Sequence, residues 1–93
     1  MKYKVKYTSA FKKGYKKMMK RGADMSLLDS VIDSLRQGEL LDSKFKDHIL
    51  KGAFSGFHEC HVQPDWLLIY LIENDILTLT LINTGTHSDL FKN

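Results

Sequence analysis

The sequence predicts an α+β domain with an N-terminal strand, a helical hairpin, and a three-stranded antiparallel meander packed against the helices. Three observations predict it. Residues 2–7 alternate strictly between polar and apolar. Two successive stretches, 9–21 and 24–37, repeat apolar residues at helical spacing. Three strand-like runs between residues 52 and 83 are separated by turns too short for a crossover. The 93 residues make one domain, 1–93.

In Lys2-Tyr3-Lys4-Val5-Lys6-Tyr7 the period of two sends Tyr3, Val5 and Tyr7 toward the core and the lysines outward. Thr8 or Ser9 can cap the first helix by accepting from a free backbone N–H. Phe11, Tyr15, Met18 and Met19 form its apolar stripe, and Lys12, Lys13, Lys16, Lys17 and Lys20 cover the other face. Gly14 is a poor interior helix residue, and Gly22 is a stop. A second helix starts near Asp24 or Ser26, where Ser26-x-x-Asp29 has the form of a capping box. Leu27, Leu28, Val31, Ile32 and Leu35 make its stripe, and Gly38 ends it.

Residues 39–51 lack a period and read as a long connection. Gly52 to His61 reads as a strand with a bend at Gly56, and Val62-Gln63-Pro64-Asp65 as a turn. Trp66 to Ile72 reads as a strand buried on both faces. After Glu73-Asn74-Asp75, Ile76 to Asn83 alternates, with Leu77, Leu79 and Leu81 on one face. Gly85 breaks that strand, and a tail follows.

The longest apolar run, Trp66 to Ile72, is far short of the roughly 20 residues a membrane helix needs. No apolar segment follows the basic N-terminus, so no secretory signal and no membrane partner are expected. The single Cys60 cannot form an internal disulfide, which suits a reducing, cytoplasmic setting. Charge is uneven. Residues 1–21 hold nine of the 14 basic residues and no acid, while residues 22–93 carry a net −6. Such a segment is either a solvated lysine face or a surface for a polyanion, and the absence of acids favours the second.

The predicted meander brings the end of the 52–61 strand, the start of the 66–72 strand and the end of the 76–83 strand to one edge. His61, Asp65, Trp66 and His87 should therefore lie near one another. Topology alone does not place His48 there. Imidazole titrates near neutrality, and a carboxylate can orient or charge it. Trp66 and Phe91 could stack on bases. Beside a basic helix, such a cluster suits cleavage of RNA by attack of a 2′-hydroxyl on the adjacent phosphate, which requires no metal and no cofactor. The alternatives are weaker. His58-x-x-His61 has a spacing seen in zinc sites, but residues three apart on a strand face opposite ways. Cys60 falls on the face away from His61 and reads as a small core residue. No helix-turn-helix signature supports a DNA reader.

The run His58-Glu59-Cys60-His61-Val62-Gln63-Pro64-Asp65-Trp66-Leu67-Leu68-Ile69-Tyr70, together with Asn83-Thr84-Gly85-Thr86-His87-Ser88-Asp89-Leu90-Phe91 and Lys46-Asp47-His48-x-Leu50-x-Gly52, closely resembles YafQ-type toxins of the RelE superfamily. The resemblance covers nearly the whole chain. It implies a RelE-like fold and a type II toxin that cleaves messenger RNA on the ribosome. It further implies a cognate antitoxin that neutralises the toxin, and operator DNA bound only through the antitoxin complex. By motif match, His48, His61, Asp65 and His87 correspond to the catalytic residues, and Trp66 and Phe91 to positions at the active site or in substrate stacking. The basic helix with Lys12, Lys13, Lys16, Lys17 and Lys20 would face ribosomal RNA.

Two positions depart from the pattern. Asn83 and His58 stand where family members often carry Arg, and Asn donates a hydrogen bond but no charge. The expectation is that Lys44, Lys46, Lys51 or protonated His58 supplies part of the missing charge, with Asn83, Lys51 and His58 at the substrate. The alternative function is a weakened relative that binds ribosome or antitoxin without cutting RNA.

Overall fold

The computed structural model describes residues 2–52 and 56–91. Its elements run β1 (Lys4–Tyr7), α1 (Ser9–Lys20), α2 (Met25–Arg36), a 3-10 turn (Ser43–Phe45), β2 (His48–Ile49), β3 (His58–Gln63), β4 (Trp66–Glu73), β5 (Thr78–Gly85) and α3 (His87–Leu90). Among the described residues the strands form one five-stranded sheet in the order β1-β5-β4-β3-β2. The predicted meander β3-β4-β5 is present and antiparallel. It is extended at both edges, by β1 running parallel to β5 and by β2 antiparallel to β3.

The helices are bounded by their local chemistry. Thr8 caps α1 by accepting from the Phe11 amide at 3.1 Å. Its own hydroxyl donates to Ile82 O at 2.6 Å, which fastens the helix start to β5. Gly22 and Gly38 take positive φ after α1 and α2. The cap of α2 is Asp24, which accepts from the Ser26 amide at 3.1 Å and the Ser26 hydroxyl at 2.5 Å. The predicted box opening at Ser26 is thereby corrected: Ser26 is already inside the helix and serves the cap.

Both long helices lie on one face of the sheet. Phe11, Met18, Leu28, Val31 and Leu35 join Cys60, Val62, Trp66, Leu68, Tyr70, Leu79 and Leu81 in one core. Burying each large side chain contributes about 1.5–3 kcal/mol. Three predicted core residues of these elements, Tyr7, Met19 and Leu27, are exposed instead. Tyr7 is 54% exposed, because β1 is an edge strand and Tyr7 leaves it against the ring of Phe11, 5.9 Å away. Met19 is also exposed, since one residue's rotation takes it off the stripe defined by Phe11 and Met18.

The strands differ from expectation at their ends. The connection 39–51 contains both the 3-10 turn and β2. A two-residue edge strand has no room for a detectable alternation. The strand expected over 52–61 begins at His58; Gly52 and Gly56 take φ +74° and +92°, incompatible with extended backbone, and residues 53–55 lie outside the described residues. β5 starts at Thr78, because Leu77 turns through φ 48° and is exposed. Leu79 and Leu81 are buried as predicted. β4 is central, and Trp66 through Tyr70 are all buried on both faces.

Gly14 has a use that helix propensity does not suggest. A Cβ there would stand 2.1 Å from Thr84 O. The missing side chain lets α1 lie directly on the end of β5. That contact sets the distance from α1 to α3.

Candidate active site

The site forms on the sheet face opposite the helices. On β3, alternation puts Cys60 with the core and Glu59 and His61 on the other face. The register shift between His61 and Gln63 ends regular pairing at His61, whose Nδ1 donates to Pro64 O at 3.3 Å. β2 lies beside β3 with His48 opposite Glu59. His48 Nδ1 donates to Lys46 O at 2.7 Å. His87 opens α3, after the Thr86 cap. Asp65, in the β3–β4 turn, accepts from the His87 amide at 3.0 Å and from its Nδ1 at 2.5 Å.

The three imidazoles form a row. Ring centroids are 6.4 Å apart for His48 and His61, and 5.8 Å for His61 and His87. In each ring Nδ1 is committed to a carbonyl or carboxylate, so Nε2 is the nitrogen left for chemistry. Glu59 Oε1 lies 3.4 Å from His48 Nε2 and 3.6 Å from His61 Nε2. A proton on either Nε2 therefore faces the Glu59 carboxyl group. The hydrogen bonds from His87, that of its amide foremost, hold the Asp65 carboxyl below the usual carboxylate range, so it is an anion at neutral pH.

Glu59 is a member of this cluster that the sequence reading missed. It is only 7% exposed. The signal was available: the alternation that removes Cys60 from the face of His61 puts Glu59 on it.

Of the predicted residues, the structure brings together His48, His61, Asp65 and His87. Trp66 is corrected. It is 2% exposed, and its indole N–H donates to Thr84 Oγ1 at 3.0 Å inside the core, so its ring offers no face to a base. His58 is likewise apart from the row. It lies on the opposite face, stacked on Tyr70 with centroids 5.0 Å apart, and its Nδ1 is buried without a hydrogen-bond partner among the described residues. Asn83 uses its side-chain oxygen to accept from the Thr84 amide at 2.9 Å. Phe91 follows α3, its amide donating to His87 O at 2.8 Å. Lys51 is exposed, and Lys44 stands over the ring of Phe45 at 5.2 Å.

Three further features bear on the site. Tyr70 OH donates to Asp47, which tethers the residue before His48 to central strand β4. On α1, Lys12, Lys13, Lys16, Lys17 and Lys20 are exposed, but Lys17 is not free: it pairs with Asp89 at 3.0 Å. Burial pushes the Cys60 thiol up to about 12, which removes it as a nucleophile.

A sheet of this order, with two helices on one face and a short helix at its end, is the RelE-like toxin fold. The chain belongs to the YafQ family, bacterial toxins of type II toxin–antitoxin systems, whose family model matches residues 3–92. It is 36% identical over 88 residues to the mRNA interferase toxin YafQ of Escherichia coli K12, covering 94% of each chain. Its fold matches the crystal structure of a copper-bound mutant toxin from Helicobacter pylori with a TM-score of 0.88 and 41% identity, covering 98% of this chain and 100% of that one. It matches a crystal structure of the E. coli DinJ–YafQ toxin–antitoxin complex with a TM-score of 0.89 and 34% identity, covering 98% and 99%. Among the described residues, no helix is long and apolar enough to cross a membrane.

Proposed function

We propose that the imidazole row is the catalytic centre of a ribosome-dependent endoribonuclease. The endonuclease class follows from the family, whose E. coli member is an mRNA interferase. The observation that carries the mechanism is the arrangement of three imidazoles, each with Nε2 outward, beside Glu59 and Asp65. The 2′-oxygen bonds to phosphorus and the P–O5′ bond breaks. One Nε2 takes the 2′ proton, and another returns a proton to O5′. The products are a 2′,3′-cyclic phosphate and a 5′-hydroxyl. The two proton transfers belong to the row as a whole.

Asp65 orients His87 through its Nδ1, and Glu59 faces the Nε2 atoms of His48 and His61. The two arginines of the chain, Arg21 and Arg36, are paired with Asp89 and Asp33. Positive charge at the phosphate therefore comes from imidazolium and from lysines of the 44–51 segment. The exposed lysines of α1 supply the surface for ribosomal RNA. A cognate antitoxin, as DinJ is for the E. coli relative, holds the toxin inactive, and the complex represses its own operator.

The test is inducible expression in bacteria with cleavage sites mapped on a translated reporter. Cuts should require the ribosome, vanish with His87→Ala, and fall roughly 10²-fold or more with Glu59→Gln. Intact message and normal growth with folded wild-type protein would favour the binding-only relative. Full activity of His87→Ala would overturn the proposed centre.

A further inference from the structure

The helix that carries His87 has four residues, far too few to hold itself in place. Something outside it must set its position. One anchor is Asp65, which takes hold of His87 from the β3–β4 turn. The second is at Asp89. Its carboxylate accepts from the Thr86 amide at 2.9 Å, completing a capping box. It also accepts from Arg21 Nη1 at 2.7 Å, Arg21 Nη2 at 3.1 Å and Lys17 Nζ at 3.0 Å. Its side chain is only 13% exposed.

The surrounding sequence is shaped to this contact. Gly14, Lys17 and Arg21 are three and four residues apart, so they share one face of α1 and its end. The bare Gly14 lets that face reach β5. A Cβ on Gly85 would stand 2.9 Å from Asp89 Cβ, so the strand too leaves room for the carboxylate. Charge matters as well as space. Asp65 and Asp89 both flank α3, and the negative charge of Asp89 acts against that of Asp65. Arg21 and Lys17 neutralise it. Arg21 foremost keeps Asp89 ionised well below the usual carboxylate range.

We infer that Asp89 is a positioning residue for the cleavage reaction: clamped by Lys17 and Arg21, it holds α3 so that His87 meets Asp65. Two cations of the basic N-terminal segment thus serve the site from within. The inference rests on the proposed role of His87. It assigns Asp89 no contact with RNA.

The experiment compares wild type, Asp89→Asn, Asp89→Glu, Arg21→Gln and His87→Ala in cleavage on programmed ribosomes. NMR follows the downfield proton of His87 Nδ1 and, as a fold control, the Trp66 indole N–H. Asp89→Asn should lower kcat roughly 10- to 100-fold, the scale expected for a misplaced group, with KM changing less than about threefold. The His87 Nδ1 proton should shift or broaden while the Trp66 signal stays. Asp89→Glu keeps the charge and is the favoured third residue of a capping box, so it should recover most of kcat. Arg21→Gln leaves the capping box intact and should reproduce part of the loss, including where Asp89→Asn fails to fold. Wild-type kcat in both Asp89→Asn and Arg21→Gln would overturn the inference. So would a loss of kcat with an unchanged His87 resonance. Activity in His87→Ala is a different failure, because it removes the catalytic reading itself.

Discussion

Gly14→Ala separates helix propensity from packing, because the two predict opposite signs. In an isolated helix Ala is favoured over Gly by about 1 kcal/mol. In this structure the new Cβ would stand 2.1 Å from Thr84 O and 3.2 Å from Thr84 C. Both are β5 backbone atoms that cannot rotate away. A carbon rests on a carbonyl oxygen at about 3.3 Å, so α1 must retreat by roughly 1 Å. Overpacking of this kind costs about 3 kcal/mol at the upper end of its usual range. Subtracting the propensity gain leaves a net loss of about 2 kcal/mol. For a domain of this size that lowers Tm by roughly 10 °C. The same retreat takes Lys17 and Arg21 out of hydrogen-bond range of Asp89, so cleavage should fall as well. Thermal unfolding by circular dichroism reads the first effect, and cleavage kinetics the second. A Tm that is unchanged or raised would refute the packing argument.

Three other outcomes are expected. Trp66→Phe removes the buried bond to Thr84 and should destabilise by about 1–3 kcal/mol without changing KM for RNA; a raised KM at unchanged stability would return Trp66 to the substrate surface. Cys60, fully buried with its thiol near 12, should resist a disulfide reagent at pH 8 in the folded protein and react once on unfolding; rapid labelling of folded protein contradicts this. Asp89 has a depressed folded pKa, so its stabilisation is present above the unfolded carboxylate value and lost as pH falls through the folded one. The Tm difference between wild type and Asp89→Asn should therefore be flat from about pH 5 to 8 and shrink in more acid solution; a difference that disappears between pH 6 and 8 would assign the effect to another group.

Periodicity alone determined the class of this fold. The alternation through Val5, the stripe from Phe11 to Met18, the stripe from Leu28 to Leu35 and the apolar run after Trp66 each need only a neighbour's spacing to be read. The same local rule placed Cys60 in the core, and it could have placed Glu59 beside His61. Short turns sufficed to bring His61, Asp65 and His87 to one edge, because hairpin geometry follows from loop length.

What remained hidden depends on contacts distant in sequence. β1 lies parallel to β5, a pairing across about 74 residues for which no turn gives a signal. β2 is too short to show a pattern, so His48 joins the row only when β3 offers it an edge. Trp66 looks equally suited to stacking on a base or to filling a core, and burial against Thr84 decides between them. The lysines of α1 look alike in sequence, yet Lys17 is taken by Asp89 while the others face solvent. Gly14 reads as a weak helix residue because its reason lies in β5. In each case the deciding quantity is a distance between segments that only the folded chain brings together.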